Sequence, residues 1–89
     1  MFMDKDNSIK VFVVLERYLI DIDEGAKVLA ACKTLDSAKK VMNKESEFIK
    51  NNFKDFEEYE YSFDGTNVSF SGKSYNYIVI SIEEKELSD

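Results

Sequence analysis

Gly72-Lys73-Ser74 carries the residue types that close a phosphate-binding loop, in which backbone amides cradle an anion and the lysine reaches the outer phosphates. That chemistry also needs a glycine five positions before the second one, where this chain has Asn67, and a helix directly after the loop. Tyr75 instead opens an aromatic and β-branched run, so nucleotide binding is not expected. Asp21-Ile22-Asp23-Glu24-Gly25 offers oxygen donors at the alternate positions of a calcium loop, but its glycine falls fifth rather than sixth and its twelfth position is Cys32. A solvated turn is the expectation there. Cys32 is the only cysteine and the chain has no histidine, which removes disulfides, cysteine-rich zinc sites and the Cys/His pairs that activate a thiol. Glu58 and Glu60 share a strand face, yet no histidine or metal signature accompanies them. The chemistry-bearing residues thus point away from catalysis, and neither a cofactor nor a metal is expected.

Charge is the remaining signal, and it is segregated. Residues 1–50 hold nine acids and nine bases, whereas residues 51–89 hold nine acids against Lys54, Lys73 and Lys85 alone, so the whole net charge of −6 lies in the second part. Its clusters supply the candidate partner-binding residues Asp55, Glu57, Glu58, Glu60 and Asp64, followed by Glu83, Glu84 and Glu86. A chain of this charge is repelled by nucleic acid and anionic lipid, but it is steered toward a basic protein surface.

Strands and one helix must position these acids. Ile9 to Tyr18 is rich in β-branched and aromatic residues and apolar on both faces between Val11 and Leu15, which predicts a central strand. A second strand over 27–33 pairs back on it through the acidic turn. Thr34 is a suitable N-cap for an amphipathic helix of about twenty residues whose apolar stripe runs Leu35, Ala38, Val41, Met42, Phe48, Ile49, Phe53, Phe56, interrupted where Glu45 falls on it; Asn51-Asn52 marks either a kink or its end, in which case Phe53 and Phe56 belong to a short following turn. Tyr59, Tyr61 and Phe63 alternate with polar residues, Asp64-Gly65 signals a hairpin turn, and Val68 and Phe70 continue the alternation. Tyr75 to Glu83 forms a last strand with Ile78, Ile80 and Ile82 on one face. The order is ββαβββ. The fold class expected is α+β, a mainly antiparallel sheet with one long helix packed on one face, in a single domain of 89 residues with its core at about 9–83. Val11, Val13, Leu15, Val41, Phe48, Ile49, Ile78, Ile80 and Ile82 are the expected core.

Val11-Phe-Val-Val-Leu-Glu16 and its turn, with a second strand running through Ala31-Cys-Lys-Thr-Leu-Asp-Ser-Ala-Lys-Lys-Val-Met42, resemble small uncharacterised ββα-type proteins of bacteria and their phages. Thr34 and Ala38 match the capped helix start of that group over about 50 residues in all. The resemblance implies a fold and no activity.

Three functions follow as expectations. The first is a non-enzymatic interaction or inhibitor module that binds a basic partner protein, of phage or mobile-element type, including anti-defence proteins and nucleic-acid mimics. The second is a homodimer that pairs through an edge strand, with the final strand as the candidate edge. The third is a small-ligand binder that uses Tyr59, Tyr61, Tyr75 and Tyr77 on a sheet face. The start Met1-Phe2-Met3-Asp4 has neither a basic region nor a sustained apolar one, and no apolar run approaches about 18 residues, so a cytoplasmic protein without a membrane anchor is expected.

Overall fold

The computed structural model describes residues 9–53, 56–62 and 64–87, with the side chains of residues 57–61 outside that description. It is an α+β fold. Strands β1 (Ile9–Ile20) and β2 (Asp23–Cys32) form a hairpin that leads into helix α1 (Leu35–Asn52). Strands β3 (Glu57–Tyr61) and β4 (Asn67–Ser71) and, after a short turn, β5 (Tyr77–Leu87) complete it. All pairings are antiparallel, and the strand order is β2-β1-β5-β4-β3. The β3–β4 hairpin therefore joins the main sheet through β4 rather than standing apart.

The final strand, expected at an edge, lies in the middle between β1 and β4. Its first half, Tyr77–Ser81, pairs on both sides, whereas among the described residues Glu83–Leu87 pairs only with β1. β5 reaches the centre because its run Tyr77 to Ile82, uncharged and aromatic or β-branched except at Ser81, suits a strand flanked by others, while the charged Glu83-Glu-Lys-Glu86 suits an edge that water must reach.

Helix α1 starts where Thr34 Oγ1 accepts the backbone N–H of Ser37 at 3.1 Å, with Asp36 at the positive end of the helix dipole. It ends at Asn52, whose side chain donates to the Phe48 carbonyl at 2.9 Å. Ala38, Met42 and Ile49 from the helix and Val14, Val68, Phe70, Ile78 and Ile80 from the sheet are all buried and form one cluster. On β1 the register of burial is the opposite of that expected: Val14 is fully buried, whereas Val11, Val13 and Leu15 are only half-buried. A run apolar on both faces does not reveal which face turns toward the helix. Phe48, also expected inside, is 52% exposed.

Two turns at one end of the sheet are joined over a long sequence separation, since Asp21 N–H donates to Asn76 Oδ1 at 2.9 Å. Both carry backbone in the left-handed region, with φ of 60° at Asp21, 59° at Ser74 and 67° at Tyr75. For a side chain such as tyrosine that region costs about 1–2 kcal/mol, and Tyr75 is 91% exposed, so its ring recovers little of this by packing. Tyr75→Gly should therefore stabilise the fold by about 1 kcal/mol, less the greater chain entropy of an unfolded glycine. Urea denaturation checks this, and a variant less stable than the parent would contradict it.

Candidate functional site

The period of two along β1 sets Glu16 on the same side as Val14 and Tyr18, which belong to or pack against the buried cluster. Helical spacing does the same for Glu45, three residues after Met42 and four before Ile49 on the buried stripe of α1. Strand register adds Lys27, directly opposite Glu16 on β2. Two carboxyls and one ammonium thus meet between the helix and the first hairpin.

Glu16 is 6% exposed. Its Oε2 lies 3.6 Å from Lys27 Nζ, while its Oε1 is buried with no donor beside it as long as Glu16 and the neighbouring Glu45 are both ionised. Burial first, then hydrogen bonding and charge from the neighbouring Glu45 carboxyl, push the Glu16 carboxyl up to about 7, and the Lys27 ammonium pulls the other way without overcoming them. The Lys27 side chain is 56% exposed, so water screens its charge. The group therefore keeps its proton to higher pH than a surface carboxylate does.

A cleft of about 210 Å³ opens beside these groups. Tyr18, Ile20, Phe48 and Phe53 wall it, and Ile49 and Ile78 line its depth. Phe48 and Phe53 meet edge-to-face with centroids 6.2 Å apart, and Phe53 meets Phe56 in the same way at 6.1 Å. Gly25 makes room for the Tyr18 ring: a Cβ at that position would lie 2.6 Å from the phenolic oxygen. A second depression of about 300 Å³ shares Ile20 and Phe53 with the first and reaches Asp21, Asn76 and Lys73.

The acids expected to form a partner surface are placed differently from one another. Asp55 lies outside the described residues, and Glu57, Glu58 and Glu60 are on β3 with side chains outside the description. Asp64 serves its own turn: its Oδ1 accepts from Ser62 Oγ at 2.9 Å, Thr66 Oγ1 at 2.7 Å and the Thr66 N–H at 3.2 Å, and these bonds hold its carboxyl below the usual range. Glu83, Glu84 and Glu86 lie on β5. Glu83 pairs with Arg17 at 3.6 Å and Lys85 at 3.2 Å, and Glu84 with Lys10 at 3.5 Å, so bases of the neutral half offset part of the acidic cluster. Of the tyrosines weighed as a ligand face, Tyr75 stands exposed at the turn, Tyr77 is half-buried on β5, and Tyr59 and Tyr61 have side chains outside the description. A single 3₁₀ turn, Lys73–Tyr75, leads into strand β5, so the α-helix that a phosphate-binding loop needs does not follow Gly72-Lys73-Ser74. Among the described residues no cluster of three or more metal-ligating side chains occurs, and no helix is long and apolar enough to cross a membrane.

In the sequence Glu45 reads as a break in an apolar stripe, whereas Glu16, at the end of a run apolar on both faces, carries no signal of its own. The break was the available signal, because a charge on a buried helix face needs a partner. Comparison with protein-family models, with curated proteins and with solved structures finds no match.

Proposed function

We propose that this chain is a non-enzymatic interaction module, of inhibitor type, that binds a basic surface on a partner protein. The observation that carries this reading is the segregation of charge, with every net negative charge in residues 51–89 and three of those acids, Glu83, Glu84 and Glu86, on the half of β5 that lacks a second neighbour among the described residues. In this reading α1 covers one face of the sheet and the opposite face, with the half-buried Val13, Leu15 and Val79, stays open. Steered association between a patch of net negative charge and a basic partner is fast at low salt and weakens as the Debye length falls from about 10 Å at 0.1 M toward about 3 Å at 1 M.

Affinity capture at 50 and 500 mM salt, which are experimental settings of about this range, should retain partners only at the lower value. A variant carrying Glu57→Gln, Glu58→Gln, Glu60→Gln, Glu84→Gln and Glu86→Gln should lose them at both, with Asp64 kept because it holds a turn. Partners retained equally at both salt concentrations and by the variant would sink the proposal.

Self-association is a second reading, and one observation favours it. β2 is a ten-residue edge strand, and Val28 on it is 62% exposed. Light scattering that gives the monomer mass of 10.3 kDa at high concentration would remove it.

A further inference from the structure

The geometry points to a receptor site for one organic cation on a short apolar stem, in the cleft between α1 and the β1–β2 hairpin, with Glu16 and Glu45 as its anionic end and Tyr18, Phe48 and Phe53 as its walls. The inference rests on the proposed interaction role for what carries the cation, namely a lysine or arginine side chain of the basic partner. The site's own chemistry rests on the cleft alone.

A carboxylate oxygen buried without a hydrogen-bond partner is uncommon, because the desolvation it has lost is not returned by any contact. Glu16 Oε1 is such an atom, and it belongs to a side chain that is more than nine-tenths buried and lines the cleft. One lysine does not balance two carboxylates. Lys27 approaches Oε2 only to 3.6 Å, and its side chain is largely in water, so an incoming cation displaces it at little cost. An ammonium or guanidinium placed at Oε1 would supply the missing donor. Aromatic side chains then suit the rest of the ligand: Phe48 is exposed, Phe53 packs edge-to-face beside it, and Tyr18 lines the strand side, so the stem meets apolar carbon. Size argues for a side chain rather than a metabolite, since about 210 Å³ falls below the roughly 300–1,000 Å³ of pockets that enclose whole small molecules.

Binding and protonation are coupled at this site. The groups that face Glu16 are Glu45 from α1, Lys27 from β2 and Tyr18 from its own strand, while β5 presents the apolar Ile78. A proton held by Glu16 satisfies the carboxyl pair in the empty cleft, and a bound cation takes the place of that proton, which leaves to solvent. Affinity for the cation therefore rises with pH through neutrality.

The test is a nuclear magnetic resonance titration of the full chain at matched ionic strength, with n-butylammonium and n-butylguanidinium as probes and n-butanol as the neutral comparator. Both cations should shift the amide signals of Glu16, Lys27, Glu45 and Phe48 saturably at millimolar concentration, more tightly at pH 8 than at pH 6, while butanol should bind at least tenfold more weakly. Glu16→Gln, nearly isosteric and neutral, should weaken the cations at least tenfold while keeping the dispersed spectrum of a folded chain. Gly25→Ala, which forces the Tyr18 ring aside, should weaken them without removing any charge. Equal binding of cation and alcohol, shifts scattered over the acidic surface, or unchanged affinity in Glu16→Gln would each overturn the site. If the cations fail while salt-sensitive capture persists, the interaction role stands without the cleft. Cation binding without any salt-sensitive partner would leave the cleft and remove the role.

Discussion

Stability should fall as pH rises from about 4.5 to about 7, the reverse of what most acidic side chains impose. Glu16 has its folded-state value raised from 4.5 to about 7, so over that interval the folded chain holds a proton that the unfolded chain has released. Its contribution is complete below the unfolded value and is lost as pH climbs through the folded one. Because each pH unit of difference is worth about 1.4 kcal/mol, the loss amounts to about 3 kcal/mol, a large share of the stability of so small a domain. Asp64 acts in the opposite sense and in another window: its lowered value makes its contribution present above the ordinary carboxylate range and lost in stronger acid. Glu16→Gln should remove the decline, being close to the parent at pH 4.5 and more stable than it at pH 8. Urea denaturation at pH 4.5, 6 and 8 reads this directly. A parent equally stable at all three values, or a variant with the same slope, would show that Glu16 is ionised and solvated in the folded chain.

Phe70→Ala should be the most damaging single truncation. Among the described residues Phe70 is the largest of the fully buried side chains, and it stands on β4 directly opposite the buried Ile78 of β5. Phenylalanine-to-alanine changes in cores cost about 3–5 kcal/mol, enough to leave this chain largely unfolded at room temperature. Circular dichroism with urea titration provides the measurement, and Phe70→Leu should fold with a much smaller loss. The result also tests the architecture. If β4 and its hairpin were a loosely attached appendage, Phe70→Ala would lower stability by less than about 1 kcal/mol, within the ordinary range for surface changes.

The parts of this fold governed by local rules were readable in the sequence. Thr34 caps the helix as its hydroxyl chemistry requires, Asn52 closes it, and the turn at Asp64-Gly65 forms where the dipeptide signals it, with Gly65 at φ 75°. Pairing between distant segments was not readable. The union of β1 with β5 brings Lys10 and Arg17 beside Glu84 and Glu83, so acids that read as a free cluster are partly matched by bases some seventy residues away. Which side of β1 faces inward was equally hidden, because Val11 to Leu15 is apolar at every position, and a bulge after Val14 shifts the pairing with β2. That hidden choice decided the candidate site. Reading Val11, Val13 and Leu15 as inward turns Glu16 toward water, while the observed face places it against the helix opposite Glu45.

Because the strand next to β1 is β5, the fourth to follow it, the sheet has no middle until all five strands have been made. A nascent chain can build the β1–β2 hairpin and α1 early, yet the inner edge of β1 must wait for a partner encoded beyond α1, β3 and β4. During synthesis that edge is an unpaired row of backbone donors and acceptors flanked by valine and leucine. Timing of translation and the company of chaperones thus bear on this sheet more than on one built only of successive hairpins.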